Sequence, residues 1–368
     1  MRAACGVFPG CLFALAQMTA VVSQLSSPSV ANPYVSYYVM KTGNDFNPGS
    51  LAQPFLTIGR AISAAAPGDQ IWIGAGTYLE QINISTVGTA LAPVTVRAIR
   101  RQTVLISPPL ASGYPSRATV ILSGSYITLA NLRIQGWKGN PQAPASDHFM
   151  SNVITVNDGA LYNSIINSEL YDGLHCGIKG GVNSAIYLTV SQCNIHDNGT
   201  TSLDHGVYGG GHSSFTGNTI NNNAGYGLHL YSGMPAFPAS VLADRNSFTG
   251  NGGGAILIGG PDAVVTNNTG TGNASGIGYF RLPCTNPTVT HNQMFGNANM
   301  DVWSDNCGGA CGGPSGITDD WNIYKRGKVP AGIPYGANEC IVAGLDLVGP
   351  GCGPTHVDLR PVRRQRPR

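Results

Sequence analysis

SFTGNTINNNAGYGLHLY, residues 214–231, is one unit of a repeat that decides the fold. Its asparagines Asn218 and Asn223 each belong to a series whose members are 22 to 28 residues apart. One series is Asn218, Asn246, Asn268 and Asn292, and the other is Asn198, Asn223, Asn251, Asn273 and Asn297. A period of this length is typical of a solenoid, in which each repeat adds one coil. Stacked side-chain amides can hydrogen-bond from one coil to the next, as they do in cross-β assemblies.

The residues between the asparagines favour strands and turns over helices. Short runs of alternating apolar residues, such as 126–134 and 187–195, are separated by Asn and Gly. Fifty glycines suit a chain that turns sharply several times in each coil. The sequence therefore predicts an all-β protein, a single-stranded parallel β-helix whose coils stack into a solenoid.

Composition excludes some classes of partner. Charged residues make up only 10% of the chain, and the formal net charge is +2. Six of the 20 basic residues are arginines near the ends of the chain: Arg2, Arg360, Arg363, Arg364, Arg366 and Arg368. Without them, 14 basic residues stand against 18 acidic ones, a balance that does not fit a nucleic-acid-binding surface. Residues 356–368, rich in Pro and Arg, are predicted to be a disordered basic tail.

The N-terminus is typical of a secretory signal peptide over residues 1–31. Arg2 precedes an apolar run at 11–16, and small residues at 29–31 offer a cleavage site before Asn32. We therefore expect a secreted, or periplasmic, mature chain that begins near Asn32. No later stretch predicts a membrane span. Cys193 is expected to be a buried thiol, whereas five late cysteines in Gly-rich segments suit the disulfides of an exported protein: Cys284, Cys307, Cys311, Cys340 and Cys352.

Residues 32–70 are predicted to form a strand, a turn-rich loop and a capping helix. Thr57 is placed to N-cap a helix over residues 58–66, which Pro67 ends. The β-helix is expected over residues 71–310, in roughly eight to eleven coils. Residues 311–355 are expected to be a C-terminal cap with cysteine-rich loops.

The segment 37–85 resembles the start of many secreted right-handed β-helix proteins of the pectate-lyase-like superfamily. Among these are polysaccharide lyases of the family-nine type and bacterial mannuronan C5-epimerases. The later resemblance, over residues 120–306, is mostly the coil consensus. The resemblance as a whole implies a right-handed β-helix and an activity on acidic polysaccharides. Because one fold hosts many functions, the activity has to be argued from a site.

The candidate site is the outward face of the strand that follows each Asn pair. We take as inward the residues Leu174, Val207, Leu228, Ala255 and Ile277. Alternation then makes their successors an outward column, in which His175, Tyr208 and His229 lie about 4.8 Å apart per coil. Ile256 is expected to be the next member. Three insertions flank these coils, as loops that carry function often do: residues 138–151, 199–203 and 234–238.

Such a column suits proton abstraction beside a carboxylate. A uronic acid has an acidic C5 hydrogen, whose removal needs a base and a group that offsets the carboxylate charge. We expect Tyr208 and one of the two histidines, His175 or His229, to be the base and acid pair, with Lys179 offsetting the carboxylate. The residues expected to bind substrate around them are Tyr231, Arg245 and His205.

The chain departs from the family motifs. The segment Asp172-Gly-Leu-His175 is the nearest match to the Asp-Pro-His-Glu motif of the epimerases and differs from it. The adjacent aspartates of the family-nine calcium site are not found in the sequence. Asp172 and Asp197 hold equivalent positions on neighbouring coils, with Asp204 on the following loop. These three are candidates to hold Ca²⁺, although the pattern requires no cofactor. Asp172 and Asp197 are also a candidate carboxylate pair for a hydrolase, or simply turn residues.

Two classes of function remain. The first is a secreted, monomeric enzyme on a uronate-containing polysaccharide, either a lyase acting by β-elimination or a C5-epimerase, with hydrolysis as a variant. The second is a non-catalytic β-helix that binds glycans or serves as an envelope component. The outward column favours the enzyme.

Overall fold

The chain winds repeatedly through three sheets. A computed structural model describes residues 34–109, 118–140, 151–180, 186–231, 240–280, 286–304, 317–320, 322–325, 340–343 and 346–348. Successive coils visit sheet A, sheet B and sheet C in turn, and neighbouring strands within each sheet are parallel apart from the last pair of sheet B. A parallel β-helix, as expected from the Asn period, is the result.

Sheet A, over the described residues, has 11 strands. They are β1 (Ser36–Val39), β2 (Gln70–Ile73), β5 (Val94–Ala98), β8 (Ile127–Ala130), β11 (Ser164–Ile166), β14 (Thr189–Ser191), β17 (Ser214–Thr216), β20 (Leu242–Asp244), β23 (Val264–Thr266), β26 (Thr288–Thr290) and β29 (Thr318–Asp320).

Sheet B has 12 strands within the described ranges. They are β3 (Gly76–Leu79), β6 (Val104–Ser107), β9 (Arg133–Gln135), β12 (Glu169–Tyr171), β15 (Asn194–His196), β18 (Thr219–Asn221), β21 (Ser247–Thr249), β24 (Thr269–Thr271), β27 (Gln293–Met294), β30 (Ile323–Lys325), β31 (Cys340–Ala343) and β32 (Asp346–Val348).

Sheet C, counted over the same ranges, has nine strands. They are β4 (Ile82–Ile84), β7 (Val120–Leu122), β10 (Ile154–Val156), β13 (Ile178–Lys179), β16 (Val207–Tyr208), β19 (Tyr226–Tyr231), β22 (Gly254–Gly259), β25 (Ile277–Tyr279) and β28 (Val302–Ser304).

A helix, α1 (Ile58–Ala64), packs its apolar face on the first coils. Ile58, Ala61 and Ile62 are buried, and Thr57 caps the helix by accepting a hydrogen bond from the Arg60 backbone N–H, as predicted. The helix ends two residues earlier than expected. Ala65 is already extended, and the proline at position 67 disfavours helical geometry at the residue before it.

Sheet A begins within the N-terminal segment. Strand β1 pairs in parallel with β2, so the strand at residues 36–39 is the first rung of the sheet. At the other end, β30 and β31 continue the parallel ladder of sheet B to Val342. In the described part of the chain, no helix is long and apolar enough to cross a membrane.

The first Asn ladder lies at the turn from sheet A to sheet B. Asn218 donates through Nδ2 to Oδ1 of Asn246 at 2.9 Å, Asn246 to Asn268 at 3.0 Å, and Asn268 to Asn292 at 2.9 Å. Each Oδ1 also accepts the backbone N–H of the Asn one coil earlier. The predicted inward stacking is confirmed, and Asn322 extends it by one coil.

The second Asn ladder lies at the turn from sheet B to sheet C. Amide-to-amide bonds of 2.8 to 3.1 Å join five residues: Asn198, Asn223, Asn251, Asn273 and Asn297. Asn198 Oδ1 accepts the N–H of Gly173, so a glycine holds the ladder position of the preceding coil. Both ladders thus pair backbone groups that the buried turns would otherwise leave without partners.

The buried Cys193 lies at the turn from sheet A to sheet B, one coil before Asn218 of the first ladder. Its thiol is 2% exposed and contacts the carbonyl oxygen of Ile165 at 3.4 Å, and its backbone N–H donates to Asn218. Burial raises the pKa of Cys193 to about 11. This confirms the expected buried thiol.

We predict that Asn246→Leu lowers the free energy of unfolding by about 1 to 3 kcal/mol, because the donors of Asn218 lose their acceptor. Asn221→Leu is the matched control, since Asn221 faces outward from β18. Chemical denaturation of the three proteins measures the effect. An Asn246→Leu variant as stable as Asn221→Leu would contradict a stabilising ladder.

Candidate functional site

Strand register sets the outward column of sheet C. Lys179 on β13 is the Cα partner of Tyr208 on β16, and Tyr208 is the partner of His229 on β19. The next rung aligns His229 with Leu257. The column is therefore Lys179, Tyr208, His229 and Leu257.

His175 does not belong to this column, so the alignment through Leu174 and Ala255 was wrong. The first inward residue comes five positions after the ladder residue in the coils of Asn223 and Asn251, at Leu228 and Ile256. Gly173 holds the ladder position one coil before Asn198, which makes Ile178 inward and Lys179 outward. A coil without its Asn hid the register.

The same register shows that Ile256 points inward, not outward as expected. It is the Cα partner of Leu228, and its side chain is fully buried in the core. It is therefore no outward control for the site, and Leu257 takes that place.

A four-residue insertion sets the coil of Tyr208 apart. Nine residues, rather than five, separate Asn198 from Val207. Lys138 holds the start of this insertion, because its Nζ donates to the carbonyl oxygens of Asp197 at 2.9 Å and Gly199 at 3.1 Å. The insertion delivers Asp204 and His205 to the edge of sheet C.

Asp204 closes the insertion and binds His175. One carboxylate oxygen accepts the backbone N–H groups of Thr200 at 2.8 Å and Thr201 at 2.7 Å, and the other contacts His175 Nδ1. Burial would raise the pKa of Asp204, but the hydrogen bonds from His175, Thr200 and Thr201 outweigh it and hold that pKa well below its usual range. His175 is thus buried against Asp204 in a hydrogen-bonding contact rather than on an open face.

His205 meets the outward column from its side. His205 Nε2 lies 3.1 Å from His229 Nδ1, and the Tyr226 backbone N–H donates to His205 Nδ1 at 2.9 Å. The Tyr208 ring centroid is 5.5 Å from His205 and 5.0 Å from His229. Two imidazoles and a phenol therefore form one cluster, with Lys179 at the adjacent register position.

The cluster is sheltered from water. His205 is 4% exposed and His229 is 8% exposed, so His229 does not face open solvent as the outward column led us to expect. Burial lowers the pKa of His205 to about 4, and burial together with the neighbouring His205 lowers the pKa of His229 well below its usual value. Both imidazoles are neutral near neutral pH.

The free thiol of Cys176 lies beneath this cluster. It accepts the His205 backbone N–H at 3.4 Å and is fully buried. Burial raises the pKa of Cys176 to about 12, so the thiol is protonated at neutral pH and is a poor nucleophile.

Two residues expected to bind substrate have other placements. Arg245 lies in the turn between β20 and β21, away from sheet C, and its Nη1 contacts Asp244 Oδ2 at 2.9 Å. Tyr231 ends β19 as the Cα partner of Gly259, and its side chain lies outside the described residues. Of the predicted binding residues, the structure brings His205 to the Tyr208 cluster.

The candidate calcium ligands are engaged with other side chains. Asp172 and Asp197 do hold equivalent turn positions, with φ of 58° and 57°. Asp172 accepts from Gln135 Nε2 at 3.1 Å, and Asp197 Oδ2 contacts His196 Nδ1 at 2.7 Å. Among the described residues, no group of three or more His, Cys, Asp or Glu side chains is placed to hold a metal ion.

We predict that Asp204→Asn lowers the free energy of unfolding near neutral pH by about 1 to 3 kcal/mol. Folding lowers the pKa of Asp204 from its ordinary 3.8, so its stabilising contribution is complete above that value and is lost as pH falls towards the folded pKa. The difference from the wild type should therefore narrow below about pH 4.

Denaturation curves at several pH values test this prediction. Asp172→Asn is the control, because asparagine tolerates the left-handed conformation of that turn. A loss of stability in Asp204→Asn that does not change with pH would contradict the ionised contact.

Comparisons with known proteins agree with the fold. The chain is 28% identical over 279 residues to the uncharacterized protein YwoF of Bacillus subtilis (strain 168). The alignment covers 65% of this chain and 57% of YwoF. The chain thus spans a little over half the length of this curated relative. Among solved structures, pectate lyase Pel9A has a TM-score of 0.52 at 17% identity, covering 81% of this chain and 78% of its own.

Two further solved structures have a similar fold. An alginate lyase from Paenibacillus sp. str. FPU-7 has a TM-score of 0.53 at 17% identity, covering 84% of this chain and 99% of its own. The GH136 lacto-N-biosidase from Eubacterium ramulus has a TM-score of 0.53 at 18% identity, covering 80% of this chain and 57% of its own. At these identities the likeness shows the fold alone.

A family model, "Pel9A-like, right handed beta helix region", matches residues 37–299. The match covers more than half of the chain and includes both Asn ladders up to Asn297 and the Tyr208 cluster. It confirms the resemblance and the handedness expected from the sequence. The chain belongs to the Pel9A-like right-handed β-helix family.

Proposed function

We propose that this protein is a polysaccharide lyase that cleaves a uronate-containing polysaccharide by β-elimination. The observation that carries the proposal is the outward alignment of Lys179, Tyr208 and His229, with His205 hydrogen-bonded to His229. The column combines a cation, a phenol and a neutral imidazole on three consecutive coils. These are the groups that proton abstraction beside a carboxylate requires.

The reaction follows from the chemistry of a uronate. Tyr208, as the phenolate, takes the C5 hydrogen while Lys179 offsets the charge that develops on the carboxylate. The electron pair of the C5–H bond forms the C4–C5 double bond, the C4–O bond breaks, and the leaving oxygen takes up a proton. Return of a proton to the opposite face of C5, without C4–O cleavage, would instead give epimerisation.

Two further observations support an elongated acidic substrate. The outward column crosses successive coils, so a polymer lying along it meets one column residue in each coil. The fold is also similar to those of structures described as a pectate lyase and an alginate lyase. YwoF is uncharacterised and adds no activity to this inference.

A panel of uronate polymers, with and without a calcium chelator, tests the proposal. Ultraviolet absorbance of a C4–C5 double bond would support elimination, and sugar NMR would show epimerisation in its place. New reducing ends without that absorbance would indicate hydrolysis. Binding without turnover would support the non-catalytic alternative and contradict the enzyme.

We predict that Tyr208→Phe lowers kcat by about 10²-fold or more on an active substrate, because only the transferring hydroxyl is removed. Tyr187→Phe is the matched control. Tyr187 stacks between Tyr162 and His212 at the turn into sheet A, with ring centroids 4.6 and 4.9 Å away, so its hydroxyl is outside the site. Full activity in Tyr208→Phe would remove Tyr208 from the mechanism.

We also propose that the chain is exported, because residues 1–31 resemble a signal peptide and the proposed substrate is an extracellular polymer. N-terminal sequencing of the mature protein should find a start near Asn32. Retention of the apolar run at residues 11–16 would contradict export by cleavage at this position.

A further inference from the structure

The hydrogen atoms of the two clustered imidazoles are determined by one backbone contact. The Tyr226 backbone N–H can only donate, and it points at His205 Nδ1 at 2.9 Å. Nδ1 of His205 must therefore be an acceptor. A neutral His205 then carries its hydrogen on Nε2.

The same reasoning extends to the second ring. His205 Nε2 lies 3.1 Å from His229 Nδ1, and the rings meet edge to face at 88°. Because Nε2 carries the hydrogen, His229 Nδ1 is the acceptor, and neutral His229 carries its own hydrogen on Nε2. Protonation of His229 would put a hydrogen on Nδ1, which would then face the Nε2–H of His205 donor to donor. The contact itself therefore opposes the imidazolium form of His229.

We propose that His205 is a positioning residue that holds His229 as the neutral Nε2–H tautomer beside Tyr208, so that His229 neither takes nor gives a proton during elimination. This inference rests on the proposed lyase function. His229 Nε2 is buried, so the ring acts on its neighbour Tyr208 rather than on the substrate.

Proton transfer then falls to Tyr208. If neutral His229 gave up its Nε2 hydrogen it would become an imidazolate, which a buried site disfavours strongly. Tyr208 gains the C5 hydrogen as the phenolate and is then itself an acid. It returns that proton to the leaving oxygen, so the C4–O bond breaks, the C4–C5 double bond forms, and the phenolate is regenerated.

The surroundings of the pair favour neutral rings. Desolvation has the largest effect on the pKa of His205, the nearby His175 lowers it further, and Asp204 acts in the opposite direction. Among the described residues, the groups that contact the pair include the Cys176 thiol, at the His205 backbone, and the rings of Tyr208, Tyr226 and Phe280, and Lys179 is the register partner of Tyr208.

The test is ¹⁵N NMR of the full chain with labelled histidine, which needs no substrate. We expect the His229 ring to give the shifts of a neutral Nε2–H tautomer throughout about pH 5 to 8, without a titration near the ordinary histidine pKa. An Nδ1–H tautomer, or a titration of His229 in that range, would overturn the proposal.

Two variants at His205 separate positioning from packing. His205→Phe keeps an aromatic ring but removes both nitrogens, so His229 should populate both tautomers and titrate at a higher pH, with kcat reduced about tenfold or more and KM changed less. His205→Gln has an amide that can accept from the Tyr226 N–H and donate to His229, and it should recover part of the tautomer preference. An unchanged His229 spectrum in His205→Phe would contradict the assignment.

His196→Phe is the matched control. His196 lies on β15 of sheet B, where it contacts Glu169 and Asp197, and its replacement should leave the His229 signals unchanged. The two proposals fail separately. If the protein acts on no uronate polymer but His229 is the neutral Nε2–H tautomer, the lyase proposal is wrong and the His205 assignment stands. If the protein is a lyase but His229 titrates, the lyase proposal stands and the His205 assignment is wrong.

Discussion

The stacked asparagine amides are the interaction on which the rest of the structure depends. Each buried turn between sheets exposes backbone N–H and C=O groups to the core, where an unpaired polar group costs about 1 to 3 kcal/mol. The Asn218 side chain accepts the Cys193 N–H and donates to the Val190 carbonyl oxygen, both in the preceding coil, and it also donates to the next Asn. This fixes the depth of each turn and the register of the strands on either side of it.

Register in turn decides which side chains form a site. A one-residue slip in a strand sends every side chain to the other face. With the ladders in place, Lys179, Tyr208 and His229 share the outward face of sheet C while Ile178, Val207 and Leu228 fill the core beneath them. The functional column is therefore a by-product of a structural repeat, and its members need not be close in sequence.

The insertion before Val207 changes the chemistry of this face. Asp204 and His205 follow the inserted residues directly, and His205 holds the position that Tyr226 holds in the next coil, two residues before the first inward residue. Asp204 anchors the insertion through Thr200 and Thr201, and His205 comes to lie against Tyr208 and His229. Burial lowers the pKa of both imidazoles and so keeps them neutral. Exposed histidines on a plain coil would be partly protonated at a pH near their ordinary pKa.

The sequence alone was sufficient for the β-helix, both Asn ladders and Thr57 as a helix cap, because each depends on local spacing or on a strict repeat. It also singled out Tyr208, His229 and Lys179. It misplaced His175 and Ile256, because register is set by hydrogen bonds between coils, and Gly173 replaces the Asn that would have revealed it. Only the tertiary structure decided that Asp204 binds His175 and that His205 meets His229, since these contacts depend on how an irregular insertion folds back onto its neighbours.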